Sequence, residues 1–495
     1  MVKHGTVPMV TDVTPYQNVV KQLKGLQDMV VNKKIVAKVA AGLGLALSLA
    51  LSPVSQTSAQ QGITWTTGFQ VQNLGTATAT VGIELYNRDG TSAASITNES
   101  ITTSKTYYPV PTVAAGFQGS AVVSSDQPVA AIVNIMGNSG VSGTPFYSES
   151  VSGISSSATG LQVNLPLIMR GNSGFNTWFS VQNAGTGPAT VNIVYTPGKD
   201  ANGAATGTAV TSAPVTIPVG AAMVFDQAPE AGLGTKFIGS AKLTSDQALA
   251  VVVNQVGTGA TKTLLTYSGF SQGSNNVVLP LIMQANATYF TGISIQNVGT
   301  TPANVHVTYA ANTIGGTFKP TDATVSLAAG ASQVYIINGT DRYIGSATVT
   351  TDSADQNVVV VVNQLSTSKG RGTAYEGISS ALATSKVSLP LLMNANSNYF
   401  TGVQCTNLGA AASNLTLTFS VDTSPALTGT PSPFTTNVAA GASITWLQDA
   451  QLGTTKYIGS GTVTSSTGSP VVCIVNQLNN VVVGDAFLTY NGVNY

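Results

Sequence analysis

The sequence predicts an all-β fold repeated four times along the chain, and three observations carry that prediction. Val, Ile and Thr crowd it together with Gly and Asn, a mixture that fills pleated strands and tight turns rather than helices. Apolar and polar residues alternate in short runs, the period of a half-buried strand. Whole phrases return at a spacing near that of a complete small domain, which excludes the shorter period of a solenoid or propeller.

Composition limits the function classes. Only 8% of the 495 residues are charged, 43% are hydrophobic and the formal net charge is zero. A chain with that hydrophobicity and so little charge folds rather than staying disordered. Such a neutral surface offers little electrostatic attraction to nucleic acid or anionic membrane, and little repulsion between copies. The length exceeds what one core supports, so several domains are expected.

The first element is an export signal over 29–59. Lys33, Lys34 and Lys38 precede an apolar run of 13 residues from Val39 to Leu51, followed by Pro53 and the small residues Thr57-Ser58-Ala59. A membrane-spanning helix needs about 20 residues, so this run reads as a cleaved signal and the mature chain carries no integral membrane anchor. Residues 1–28, with Asp12 and Asp28, form an unusual leader, and translation from Met1 or from Met29 both fit. Removing residues 1–59 takes six of 19 basic and two of 19 acidic residues, leaving 13 against 17, a net of −4.

The repeats follow, over 60–160, 161–274, 275–385 and 386–495. The phrase beginning at Phe69 (FQVQNLGTATATVGIELY) returns from Phe179, Ile293 and Val403, and its glycines Gly75, Gly185, Gly299 and Gly409 are 110, 114 and 110 residues apart. Each copy reads as a hairpin of two half-buried strands about an Asn-x-Gly turn. A second phrase starts at Phe117, Phe237, Tyr343 and Tyr457. It reads as another hairpin, turning at Ser-Asp-Gln and returning through an almost wholly apolar strand such as VVVVVNQ, the pattern of a strand covered on both faces. Thr- and Ser-rich strands lie between the two phrases and an aromatic strand closes each copy. Seven or more short strands in about 100 residues match a Greek-key, immunoglobulin-like β-sandwich.

On LPLIM at Leu165 and Leu279, LPLLM at Leu389, the Gln-Asn-x-Gly turn and the Gly-Ser-Ala-x-x-x-Ser-Asp-Gln phrase, residues 61–495 resemble secreted tandem Ig-like repeat proteins of bacterial envelopes, of the kind abundant in filamentous Chloroflexota. The resemblance implies an extracellular or cell-surface location and a surface or adhesive role. Its motifs carry no chemistry.

The residues that enzymes and cofactors use are sparse, and we expect no catalytic site, no metal and no cofactor. After signal removal His306 is the one remaining histidine, and it lies in the alternating strand NVHVTY with its side chain directed to solvent. Asp126, Asp246 and Asp352 are single turn acids without an Asp-x-Asp partner, which reads as turn geometry rather than a calcium site. In copy 4 Ser-Ser-Thr replaces Ser-Asp-Gln. No glycine pair leads into a helix as a phosphate-binding loop requires.

Cys405 and Cys473 belong to copy 4 alone and occupy positions that are apolar elsewhere: Val71, Val181 and Ile295 for the first, Ala131, Val251 and Val360 for the second. A disulfide joining two sheets, as in immunoglobulin domains, and a pair of small buried thiols both fit. Asn98, Asn286, Asn338 and Asn414 stand in Asn-x-Ser/Thr sequons that permit glycosylation. Trp65, Trp178 and Trp446 are candidate surface contacts, with core packing as the competing reading. The Leu-Pro-Leu strand precedes copies 2, 3 and 4, while copy 1 starts almost directly at Ile63, so one terminal sandwich is expected to have an unfilled sheet edge that joins further copies, the alternative being that copy 1 is a truncated cap. The composite expectation is a secreted structural protein, a coat, sheath or filament subunit, whose partners are further copies of itself or a cell-wall or surface polysaccharide. An adhesin or carbohydrate-binding array is the alternative.

Overall fold

The computed structural model describes residues 45–47 and 64–495, apart from 109, 111–112, 115–116, 139–146, 258–261, 312, 314–316 and 422–429. These residues form tandem β-sandwiches, every strand pairing antiparallel. Repeat 3 shows the plan: β1 (Asn276–Gln284), β2 (Phe290–Asn297), β3 (Ala303–Tyr309), β4 (Ala323–Leu327), β5 (Ser332–Ile337), β6 (Tyr343–Thr351), β7 (Val358–Ser366) and β8 (Arg371–Glu376). One sheet has the order β4-β3-β6-β1 and continues to the short strand Ile378–Ser379; the other has the order β5-β2-β7-β8. The same numbering serves for each repeat. In repeat 2, β6 and β7 are one continuous strand, Phe237–Gly257, shared between both sheets.

Neither recurring phrase is a hairpin, contrary to the sequence expectation. β2 and β3 lie in opposite sheets, as do β6 and β7, so both turns are arches that carry the chain across the core. A buried asparagine holds the first arch. In repeat 2, Asn183 Nδ2 donates to Gly187 O at 2.8 Å and to Ile217 O at 2.9 Å, while Gly185 N donates to its Oδ1 at 2.9 Å. Asn73, Asn297 and Asn407 make the same set of bonds. Glycine suits position 185 because a Cβ there would stand 2.8 Å from Gln247 Cβ, an atom tied to the backbone, as well as 2.5 Å from Gln247 Oε1.

The turn acids also bind further away than expected. Asp126 and Asp246 accept the backbone N–H of Thr80 and Thr190 at the other arch, each at 2.7 Å, and in repeat 4 Ser466 Oγ accepts from Asn414 N at 3.2 Å. A hydroxyl replaces the carboxylate because one acceptor is all the position needs.

Repeat 1 supplies a second correction. Its β1 position is taken by Leu45–Leu47, which pairs with β6 (Gly119–Ser125) and with Ile154–Ser155. The first sandwich, one of the two terminal ones of which an unfilled edge was expected, therefore holds at this edge a strand drawn from the stretch read as the export signal. The remainder of the stretch read as leader and export signal lies outside the described residues. Among those residues no helix is long and apolar enough to cross a membrane.

Each β7 serves two cores, which explains why it is apolar on both faces. In repeat 2, Val251 and Val253 pack inside their own sandwich, while Ala250 and Val252 pack into the core of repeat 1. Val361 of repeat 3 joins the core of repeat 2, Ile474 of repeat 4 joins that of repeat 3, and Ile132 of repeat 1 joins that of repeat 4. The sequence of contacts closes on itself, so the four sandwiches form a ring. Each fully buried valine or isoleucine at these seams contributes roughly 1.5–3 kcal/mol relative to exposure.

Candidate functional site

The feature that four similar bodies create together is the junction at the centre of the ring. The β8 strands of the four repeats (Tyr147–Ser152, Leu264–Ser268, Arg371–Glu376 and Phe487–Asn491) are the last strands of their sheets. A sheet edge leaves N–H and C=O groups unpaired, and burial without partners is costly. Here two carboxyl groups supply them. Glu149 Oε1 accepts from Thr373 Oγ1 at 2.8 Å, Ala374 N at 3.1 Å and Thr266 N at 3.4 Å. Asp485 accepts from Leu264 N at 2.7 Å and Gly372 N at 2.8 Å. Glu149 of repeat 1 thus reaches diagonally to repeat 3, and Asp485 of repeat 4 to repeat 2.

Both acids are 0% exposed. Burial holds both carboxyls well above the ordinary range despite these donors, and the nearby Asp485 raises Glu149 further. The buried Arg371 opposes this at Asp485 and anchors its own guanidinium on Asn479 O at 2.7 Å. Ser148 Oγ donates to Asp485 O at 2.6 Å, Asn491 Nδ2 to Glu376 O at 2.8 Å, and Ser268 N to the Glu376 carboxylate. Side chains thereby close the strand edges against further β-pairing along the axis.

Around that centre runs a clasp built from the Asn-Gln pair that ends β7. Gln255 exchanges hydrogen bonds with Asn363, at 3.0 and 2.6 Å, and Gln364 does so with Asn476, at 3.3 and 3.1 Å. Asn134 Nδ2 donates to Gln477 Oε1 at 3.1 Å, closing the seam from repeat 4 to repeat 1. Repeat 1 has Ile135 where the others have glutamine, and the buried Nδ2 of its expected partner Asn254 has no hydrogen bond among the described residues. The Gly-Ser phrase also belongs to the seams: Ser120 Oγ donates to Gly220 O at 3.1 Å and Ser240 Oγ to Gly330 O at 2.7 Å, each in the next repeat.

The residues singled out in the sequence are scattered by comparison. Cys405 and Cys473 face each other in register on β2 (Tyr399–Asn407) and β7 (Val471–Asn479) of repeat 4, with their sulfurs bonded and Cα atoms 4.1 Å apart. The bond therefore joins neighbouring strands of one sheet, rather than two sheets as the immunoglobulin comparison implied. Trp178 is buried between repeats 2 and 1, and Trp446 is buried with Nε1 donating to Thr436 Oγ1 at 3.2 Å, so neither offers a surface contact. Trp65 is half-buried against Tyr147, ring centroids 6.0 Å apart. Asn98, Asn338 and Asn414 are exposed, whereas Asn286 is half-buried with Oδ1 accepting from Arg342 at 3.0 Å.

His306 lies between Thr324 Oγ1 at 3.0 Å and Asp352 Oδ1 at 2.7 Å. Hydrogen bonds from Asn304 and then His306 hold Asp352 below the ordinary carboxylate range. This trio sits on the solvent side of β3 and is only partly shielded, which suits a surface polar contact. Among the described residues no group of three His, Cys, Asp or Glu could hold a metal ion. The one signal that could have exposed the central acids is repeat comparison: Glu149 stands where the other copies have Leu265, Thr373 and Leu488.

No family model and no curated protein matches the chain. Solved structures that align with it include a tetra-tandem repeat from the extending region of a large adhesion protein, at 11% identity over 90% of this chain and 97% of that one, TM-score 0.11. Another is the BSP domain of a biofilm-associated protein, at 8% identity over 91% and 96%, TM-score 0.14. Superposition this poor adds nothing to the reading of the geometry.

Proposed function

We propose that this chain is a secreted, non-enzymatic structural protein of a bacterial surface, serving as a coat, sheath or filament subunit. The observation that carries this reading is the closed ring, in which four sandwiches bury their mutual faces and seal their central strand edges with Glu149 and Asp485. A body built this way is a stiff block with its polar chemistry spent on holding itself together. Its exposed large apolar residues, among them Tyr108, Leu161, Leu382 and Val483, are dispersed over several repeats instead of forming an aromatic platform. Electron microscopy of the purified secreted form tests the proposal. Ordered filaments or sheets support it, and dispersed single particles at high concentration count against it.

The adhesin reading has one observation of its own, a cleft of about 490 Å³ between repeats 2 and 3 lined by Phe175, Phe290, Asp200, Lys236 and Asn338. Aromatic and polar groups together suit a saccharide. Retention on immobilised cell-wall polysaccharide, lost on Phe290→Ala, would favour this second reading.

A further inference from the structure

Repeats 2 and 3 place different residues at one equivalent position of the seam that each makes with the repeat before it. On β2 of repeat 2, Trp178 stands between Asp226 of β5 and Asn254 of β7, and on β2 of repeat 3 Gly292 stands between Ile336 and Asn363. Trp178 is 4% exposed and packs into the core of repeat 1, so an indole fills this position at the seam between repeats 1 and 2. At the seam between repeats 2 and 3 no side chain issues from Gly292, and the cleft of about 490 Å³ opens there. Its apolar lining is Leu167, Met169 and Phe175 of repeat 2 with Gly292, Ile336 and Leu365 of repeat 3. A Cβ built at 292 would have Ile336 Cδ1 as its nearest neighbour, at 3.4 Å, an ordinary contact that leaves room for a larger residue.

Repeat 1 carries a side chain of the matching kind. Tyr108 follows β5 (Ser104–Tyr107) and lies against Gly68 of β2, where a Cβ would stand 2.9 Å from Tyr108 Cδ2. Phe69 pairs with Tyr107 as Ile293 pairs with Tyr335, so Tyr108 holds in repeat 1 the place of Ile336 in repeat 3. It is 59% exposed, more than any other aromatic residue among the described ones. Gln72, on the same face of β2 as Gly68, bonds Ser388 of repeat 4, which puts Tyr108 at the seam between repeats 4 and 1. In a ring of four that seam is opposite the one between repeats 2 and 3. Knob and cleft therefore stand at equivalent positions half a ring apart.

We propose that the cleft between repeats 2 and 3 receives Tyr108 of a second copy of this chain, joining rings head to tail through opposite seams. The ring of Tyr108 takes at this seam the place that the indole of Trp178 takes at the preceding one, and its hydroxyl stays at the polar rim formed by Asp200, Lys236 and Asn338. A heterologous contact of this kind leaves a free knob at one end and a free cleft at the other, so it repeats without closing. The inference rests on the reading of the chain as a structural subunit, for which it names the joint.

The test compares the purified secreted form with two variants. Gly292→Trp fills the cleft with the side chain that repeat 2 already carries at this place, and Tyr108→Ser removes the knob. Light scattering and electron microscopy follow assembly, while thermal melting checks that each variant folds. The parent assembles, and each variant alone needs at least about thirtyfold more protein to do so, the loss expected at an interface hot spot. In a mixture the Gly292→Trp copy offers only a knob and the Tyr108→Ser copy only a cleft, so one-to-one pairs form and nothing longer. Variants that assemble like the parent overturn the joint and leave the subunit reading standing, as does a mixture without pairs. Tyr108→Ser changes an exposed side chain and keeps the test decisive where Gly292→Trp fails to fold. A parent that never assembles overturns joint and subunit reading together. Loss of retention on cell-wall polysaccharide in Gly292→Trp, with assembly intact, overturns the joint and gives the cleft to a saccharide.

Discussion

Repeats 1 and 4 stand at opposite ends of the sequence yet meet as neighbours across the seam that closes the ring, and they are fastened to different degrees. Repeat 4 has a latch, the Tyr490 phenol bonded to both backbone groups of Leu391, together with the clasp residue Gln477 and the Cys405–Cys473 bond. Repeat 1 has Val151 and Ile135 at the first two positions, and Ala131 where Cys473 stands. The same fold and the same apolar pattern thus support both a fastened sandwich and a loosely fastened one. The difference lies in one disulfide and a few polar groups, which leave the fold unchanged and set how firmly each joint is held.

Removing the disulfide should give the largest effect. Its cysteines are 68 residues apart in sequence, and opening a loop of that length costs about 4 kcal/mol in the chain-entropy model. Chemical denaturation with and without reductant should show repeat 4 losing that stability while repeat 1 is unchanged. Non-reducing mass mapping that finds two free thiols would remove this part of the contrast.

Next come the latch and the clasp. Tyr490→Phe leaves the buried Leu391 N–H and carbonyl without the phenol that bonds both, and Gln477→Leu takes the acceptor from Asn134 Nδ2 and one donor from Ser150 Oγ. Each should cost about 1–3 kcal/mol in urea denaturation. Proteolysis would reveal increased cutting near 386–394 for the first and at the seam between repeats 4 and 1 for the second. An unaltered midpoint in either variant would show that these contacts contribute nothing to closure.

A smaller effect of opposite sign is expected at the seam between repeats 1 and 2. Ile135→Gln restores the missing partner of Asn254 and should raise stability by about 0.5–1.5 kcal/mol if the amide reaches it. A loss of stability instead would mean that Ile135 contributes more through its apolar packing than the pair returns.

The central acids predict a slope with pH rather than a step. Their folded-state values lie above the ordinary carboxyl range, so the folded ring binds protons that the unfolded chain releases. Stability from this source is complete on the acid side of the ordinary range and is lost as pH rises through the raised values. Melting temperature should therefore fall with rising pH, and Glu149→Gln with Asp485→Asn should flatten the dependence. A parent whose melting temperature rises through that interval would contradict the burial argument.

Much of the fold was legible because its signals are local. The fourfold phrase, the strand period and the two-sided apolar character of VVVVVNQ all follow from side-chain alternation, and the core positions of Cys405 and Cys473 followed from comparing copies. The arches were misread as hairpins because alternation reports that one face of a strand is buried without reporting which sheet the strand joins. Asn183 looks like an ordinary turn residue until its three partners, drawn from two loops, are brought together. Glu149 looked like one acid among 17 because its donors lie in other repeats, more than 100 residues away.

What the sequence alone determined is the repeated unit: β-branched and apolar residues at period two, with glycine and asparagine between them, leave a sandwich as the way to bury each strand. What only the tertiary structure decided is the ring. Whether β7 is covered on its second face by a partner protein, a further sheet or the next repeat depends on shape and on hydrogen-bond partners distant in the chain. Neither leaves a trace in local periodicity, and here the Asn-Gln clasps and the two buried carboxyl groups made that choice.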